Sequence, residues 1–262
     1  MARGAKMNIL ELKNVSKSFP RTDIDDITVA LSDVSLKVQD GEFVSLVGQS
    51  GCGKSTMLRL IAGLIPPTQG VLVLNDKKIE GTATNRGMVF QQPTLFPWLT
   101  VKQNVSFSPR ILKTYFQKQK KLEKLIDMVG LSEFANSYPH QLSGGMAQRV
   151  ALIRTMINEP EVFLLDEPLG ALDAFTRMNM QDELLSMWQE NKHIMLLVTH
   201  DVDEAIYMST RVIVMAPRPG RIRADIPIKL KFPRNRISDD FVEYRKQIMD
   251  MLNVGKSGEI NS

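Results

Sequence analysis

The sequence predicts an α/β fold in which helices cover a mainly parallel sheet, with an antiparallel β region at the N-terminal side and a helical region set between strands. Three observations predict it. Apolar runs of strand length recur at Phe43–Val47, Val162–Leu165, Ile194–Val198 and Val212–Met215. Such runs, alternating with helical patterns, mark parallel strands buried on both faces. Ile9–Leu12 and Val34–Val38 alternate with period two instead, the pattern of a half-covered strand. A glycine-rich stretch, Gly48–Ser55, joins the first apolar run to a helical pattern.

The remaining elements follow in order. Asp40-Gly41 marks a tight turn, and the polar stretch Pro20–Asp26 reads as a loop. Lys54–Gly63 reads as a helix ended by Gly63 and Pro66. Val71–Leu74 and Gly87–Phe90 read as strands, and residues 102–160 mainly as helix. Within that region Lys118, Lys120, Lys121 and Lys124 read as a solvated helix face. Pro217–Gly220 is a turn, and Ile226–Leu230 reads as a late strand. Ser238–Leu252 reads as a helix with Phe241, Ile248 and Leu252 on one stripe. Gly255–Ser262 reads as a frayed tail.

The 262 residues are enough to bury a sizeable core. Hydrophobic residues at 43% and charged residues at 24% exclude disordered, collagen-like and disulfide-framework classes. The formal charge of +4 is too mild to argue for nucleic acid or an acidic membrane. One cysteine, Cys52, fits a reducing compartment. No apolar core of signal-peptide length precedes Glu11, and no stretch nears the roughly 20 apolar residues of a membrane span. The expectation is a cytoplasmic protein whose membrane role, if any, comes through a partner.

Gly48, Gln49, Ser50, Gly51, Cys52, Gly53, Lys54 and Ser55 match the phosphate-binding pattern G-x-x-x-x-G-K-[ST]. The glycines let backbone N–H groups turn inward around a β-phosphate, and the helix N-terminus adds its positive dipole end. Lys54 supplies a cation to the β/γ oxygens, Ser55 a hydroxyl for Mg²⁺, and Thr56 reaches the α-phosphate. Cys52 lies where a thiolate is favoured, which predicts a reactive thiol; the alternative is an inert, small buried residue. Val162–Glu167 supplies the complementary half. A buried strand presents Asp166 at its C-terminal end, where sheet ligands bind. Asp166 would hold Mg²⁺, directly or through water, and Glu167 is the candidate general base for the attacking water.

Leu142–Arg149, LSGGMAQR, resembles the LSGGQ signature of ATP-binding cassette ATPases. Ser143 stands 89 residues after Lys54 and 23 before Asp166. Ser143, Gly144 and Gly145 open a helix with bare N–H groups, a second anion site. Other stretches resemble the family in the same order: Phe19 the adenine-stacking aromatic, Gln91 the Q-loop glutamine, Gly170–Asp173 the D-loop, and Thr199-His200-Asp201 the switch. The resemblance implies a phosphate-loop NTPase cassette over residues 7–232. Its helical subdomain spans about 92–160, and a C-terminal helix and tail follow over 233–262. It implies ATP hydrolysis with Mg²⁺ held by Ser55, Gln91 and Asp166, Glu167 as base and His200 on the γ-phosphate. It also implies a head-to-tail homodimer in which Ser143–Gly145 of one copy close over the ATP of the other. His140 and His193 match no family position.

Pro93–Val101 and Met215–Ile222 resemble the nitrate/sulfonate/taurine branch of bacterial importers. That implies a peripheral subunit on the cytoplasmic face of the inner membrane, coupling ATP to uptake of a small solute. Its partners would be permease subunits, docked near Leu95, Phe96 and Trp98, and an extracytoplasmic solute-binding protein, with no nucleic acid. Met146 replaces the commoner glutamine of the signature. Ile153-Arg154-Thr155-Met156 stands where importers usually show a small-residue helix with Ala-Arg-Ala, so repacking is expected. The alternative, a soluble cassette acting on nucleic acid or ribosomes, is disfavoured. DNA-maintenance members insert a long coiled coil into the 89-residue interval, and ribosomal members carry two cassettes.

Overall fold

The computed structural model describes residues 7–20 and 27–253. In chain order the first elements are β1 (Ile9–Pro20), β2 (Ile27–Gln39), β3 (Phe43–Gly48), α1 (Lys54–Ala62), β4 (Gln69–Leu74) and β5 (Lys77–Lys78). Then come β6 (Arg86–Val89), α2 (Val101–Ile111), α3 (Tyr115–Met128), α4 (Gly144–Met156), β7 (Val162–Asp166) and α5 (Ala174–Asn191). The last are β8 (Ile194–Val198), α6 (Val202–Met208), β9 (Arg211–Ala216), β10 (Arg221–Pro227) and α7 (Asp239–Asn253). The chain divides into two compact units, one up to Ala83 together with the chain from Lys192 onward, the other Thr84–Asn191. α7 belongs to the first unit.

The first unit contains an antiparallel sheet, in the order β2-β1-β4-β5, and a parallel core in which β3 lies between β8 and β9. β10 adds to β9 antiparallel. Every residue of β8 is buried, as are all of β3 except Gly48. That explains their unbroken apolar runs. β1 and β2 are much longer than their period-two cores. Asn14 and Asp33 take left-handed backbone, with φ 49° and 53°, and the register shifts between Leu12 and Ser18. Asn14 Nδ2 donates to Asp33 Oδ1 at 2.8 Å across this irregularity. A bulge of this kind breaks the alternation that marks a strand, so the pattern fades while the strand continues. Of the expected loop Pro20–Asp26, Pro20 ends β1 and the rest lies outside the described residues, as does the tail Gly255–Ser262.

The late strand begins five residues before the expected Ile226: Arg221–Pro227 pairs with β9 from Arg221↔Ala216 to Pro227↔Arg211. Charged or proline residues at the exposed positions separate Ile222, Ala224 and Ile226, which masks a short alternating run. α7 packs its Phe241 and Ile248, both fully buried, against Ala205, Ile206, Val212 and Val214. Leu252 on the same stripe is partly buried there.

The second unit pairs β6 and β7 in parallel and contains helices α2 to α5. The expected helical region resolves into α2, α3 and α4, with short 3-10 turns at Ser132–Phe134 and Pro139–Gln141. Of the lysine run, Lys118 and Lys121 both pair with Glu159, and Lys118 Nζ also donates to the Ile157 carbonyl at 2.7 Å. Ile153 and Met156 are buried, so the departure from small residues in α4 is absorbed by packing. Among the described residues no helix is long and apolar enough to cross a membrane.

Candidate functional site

In the first unit the parallel register sets the C-terminal strand ends level. Leu46 of β3 faces Val198 of β8, and Thr199 N donates to the Leu46 carbonyl at 3.3 Å. The glycine-rich loop therefore leaves β3 beside the point where His200, an exposed residue, leaves β8. This is where open α/β sheets bind ligands. Gly51 and Gly53 take φ 78° and 90°, and Gly53 is the N-cap of α1. No side chain caps that helix and its first turn carries no acid, so its N–H groups fit an anion. Lys54 is 8% exposed; its Nζ donates to the carbonyls of Gly48 at 2.7 Å and Gln49 at 3.1 Å. The cation required for phosphate is already folded over the loop.

The back of the loop is packed too tightly for any Cβ. A methyl on Gly53 would lie 2.5 Å from Leu31 Cδ2 and 2.8 Å from the Ala30 carbonyl oxygen. One on Gly220 would lie 2.2 Å from the Cys52 carbonyl oxygen. Gly220 N donates to the Ala30 carbonyl at 3.1 Å, and Ser32 N to the Gly220 carbonyl at 3.0 Å. The Pro217–Gly220 turn, which the sequence reading gave no part in the phosphate site, thus buttresses the phosphate loop. Cys52 is corrected by the same packing. It is fully buried, and burial pushes its thiol above the ordinary range despite nearby Lys54. The small inert residue, not the reactive thiol, is what the loop holds. Phe19 pairs with Thr28 near the end of β1, is 37% exposed, and has Lys17 Nζ 5.0 Å from its ring centroid. It is available for stacking rather than part of the core.

In the second unit the same geometry recurs. Val89 of β6 faces Leu165 of β7, so Gln91 and Glu167 emerge from adjacent strand ends. Gln91 Nε2 donates to Glu167 Oε2 at 3.2 Å. Asp166 ends β7 and is 4% exposed. Glu167 takes φ 47°, a left-handed conformation that costs a non-glycine residue free energy and clusters at functional sites. The signature Ser143 caps α4, accepting from Met146 N at 3.2 Å, and the first turn of α4 carries no acid. A methyl on Gly145 would lie 3.1 Å from Leu172 Cδ2, so the signature and the D-loop stretch pack together.

Three residues that the sequence reading gave no role hold these groups. Gln148, 1% exposed, donates from Nε2 to the Phe90 carbonyl at 3.1 Å and ties α4 to the residue before Gln91. Asn104, fully buried, accepts from Phe96 N at 2.9 Å and donates to the Leu99 carbonyl at 2.9 Å, fixing the loop that carries Trp98. Arg154 donates to the Thr94 carbonyl at 2.7 Å in the same loop. A buried polar residue on an apolar helix face is the signal that could have found Gln148 and Asn104. Trp98 is 69% exposed and its ring centroid lies 5.7 Å from that of half-buried Phe96. It is not a core residue.

The buttress yields a prediction. Gly220→Ala pushes the Cys52 carbonyl and with it the loop N–H groups, so nucleotide binding measured by calorimetry should weaken about tenfold, roughly 1.4 kcal/mol. Gly81→Ala, whose added methyl meets open space, should leave affinity unchanged. Equal affinity in Gly220→Ala and the unaltered chain would show that the loop does not depend on this contact.

The ABC transporter family matches residues 31–170. An uncharacterized ABC transporter ATP-binding protein of Methanocaldococcus jannaschii is 48% identical over 246 residues, covering 93% of this chain and 91% of that one. The aliphatic sulfonates import ATP-binding protein SsuB of Bacillus licheniformis is 45% identical over 222 residues, 85% of this chain and 86% of its own length. The taurine import ATP-binding protein TauB of Roseobacter denitrificans is 46% identical over 254 residues, 94% of each chain. Among solved structures, the dimeric post-hydrolysis state of an ATP-binding cassette bound to ADP and Pi has a TM-score of 0.76 at 33% identity. It covers 85% of this chain and all of that one. With its phosphate loop, strand-end acids and signature helix in the family's order, this chain belongs to the ABC transporter ATP-binding family.

Proposed function

We propose that this chain is the ATP-hydrolysing subunit of an importer for a small solute of the sulfonate or taurine kind, working with separate permease subunits. One observation carries the enzymatic part: a glutamine and a glutamate, Gln91 and Glu167, meet at 3.2 Å at adjacent strand ends, next to the buried carboxylate of Asp166. The import direction and solute class rest on the names of the sulfonate and taurine relatives. Nothing comparable favours nucleic acid or ribosomes.

In this reading Lys54 and the N–H groups of residues 48–56 hold the triphosphate, and Phe19 stacks on the base. Ser55, Gln91 and Asp166 offer the oxygen donors that a hard divalent cation takes. When bound, Mg²⁺ neutralises charge on the phosphate oxygens. Gln91 orients the attacking water, Glu167 takes its proton, and His200 contacts the γ-phosphate. Ser143–Gly145 close over the nucleotide of a second copy, so the working unit is a homodimer. The loop around Leu95, Phe96 and Trp98 docks the permease, which places the chain on the cytoplasmic face of the membrane beside an extracytoplasmic solute-binding protein. An exposed indole on a loop pinned by Asn104 is a rigid aromatic anchor of the type that dominates interfaces.

Glu167→Gln is expected to keep Mg-ATP binding and lose about 10² to 10⁴ in turnover. It should accumulate as an ATP-dependent dimer on size-exclusion chromatography. Turnover at the unaltered rate would remove Glu167 as the base. Trp98→Ala should leave melting temperature and ATP affinity unchanged while weakening co-purification with the permease by about 2 kcal/mol. Intact assembly in that variant would move the docking surface elsewhere.

A further inference from the structure

We propose that the segment from Ile228 to Ile248 is a clamp on α6 that sets the position of His200, with Arg234 and Arg245 as positioning residues for hydrolysis. This rests on the reading of His200 as the γ-phosphate contact given above. α6 has only seven residues, too few to hold a helix by its own hydrogen bonds. It follows His200 directly: Asp201 is its N-cap, accepting from Asp203 N at 2.9 Å and Glu204 N at 3.1 Å. Whatever fixes the axis of α6 therefore fixes the backbone from which the histidine projects.

Three arginines from the C-terminal segment converge on this one short helix. Arg245 grips its first turn through a fork on Asp203, with Nε to Oδ1 and Nη2 to Oδ2 at 2.8 Å. Arg234, 7% exposed, closes the other end. Its Nη1 donates to the carbonyl of Ile206, to that of Ser209 at 2.6 Å and to that of Tyr207 at 3.3 Å. Those are among the carbonyls that a helix C-terminus leaves without intrahelical partners. Arg236 lies over the Tyr207 ring at 3.9 Å, and Arg245 Nη2 reaches the Arg236 carbonyl at 3.3 Å, joining the grips to one another. Between them, Phe241 and Ile248 pack on Ala205 and Ile206. Apolar packing alone would attach α7 with less desolvation than a buried guanidinium demands. What the arginines add is direction, since a forked donor fixes both the distance and the angle of its acceptors.

A merely structural role predicts that stability, affinity and rate fall together. A positioning role predicts a fall in rate alone. The test uses the full chain with Arg245→Ala, with Arg234→Lys, and with the exchange of Asp203→Arg and Arg245→Asp. The control is Arg223→Ala, because Arg223 holds the Met251 carbonyl of α7 but donates no hydrogen bond to α6. Two readouts are taken: kcat and KM for Mg-ATP, and the carbon–proton spectrum of the three histidines. The two single variants should lower kcat about tenfold with KM held within about twofold. They should shift the His200 resonance while those of His140 and His193 stay in place. The charge exchange should restore kcat, and Arg223→Ala should change neither readout. An unaltered kcat and His200 resonance in both single variants would overturn the clamp, as would an equal loss in Arg223→Ala. If hydrolysis survives His200→Ala, the role given to His200 fails instead, and the histidine spectrum still decides the clamp.

Discussion

Leu46 faces Val198, and Val89 faces Leu165. Each is the last or near-last residue of a parallel strand, and in a parallel pair both chains leave at the same end. The register therefore delivers the phosphate loop beside the switch histidine in one unit, and Gln91 beside Glu167 in the other. These strands are covered on both faces, so a slip of one residue would exchange the side chains packed on the two faces. With every residue of β7 and β8 buried, such a slip is costly, and the apolar runs that fix the fold also fix the chemistry at their ends.

The second constraint is the missing Cβ. Gly53 and Gly220 let the phosphate loop lie against Ala30, Leu31 and the turn after β9. That close approach holds the loop at the N-terminus of α1, whose N–H groups no side chain caps. Preorganised donors of this sort need no rearrangement when charge arrives. The cost appears at Lys54, whose ammonium is held by the carbonyls of Gly48 and Gln49. In the proposed function it exchanges these for phosphate oxygens. The backing also explains why a cysteine serves in the loop: a small side chain fills the space beside Gly48, and burial keeps the thiol protonated.

Much of this was legible in the sequence. The core strands follow from unbroken apolar runs, and the phosphate loop and its helix from a dense motif in the right context. The long β1–β2 hairpin was legible only in part, because the irregularity at Asn14 and Asp33 breaks the alternation. α5 was not delimited. It buries Met180, Leu184, Leu185 and Trp188 while leaving Phe175 and Met178 exposed, so its apolar residues do not form one clean stripe. The catalytic candidates were found because motifs name them. Of the residues that hold them, Gln148, Gly220 and Arg234 have partners distant in sequence, and no local pattern names such a partner; Asn104 bonds only nearby Phe96, Leu99 and Thr100, and its polarity on an apolar helix face is its one local signal. Trp98 shows the converse: its Pro-bounded loop is legible in the sequence, and its exposure is seen only in the structure.

The central claim is that the phosphate loop is built before nucleotide arrives and that only Lys54 changes partners. A crystal structure of this chain with Mg-ATP tests it most directly. The backbone of residues 48–53 is expected to keep its left-handed glycines and its contacts with Ala30 and Gly220. Lys54 Nζ is expected to leave the carbonyls of Gly48 and Gln49 for the β- and γ-phosphate oxygens. A loop that refolds on binding, or a lysine that stays on its carbonyls with the nucleotide bound elsewhere, would contradict the claim.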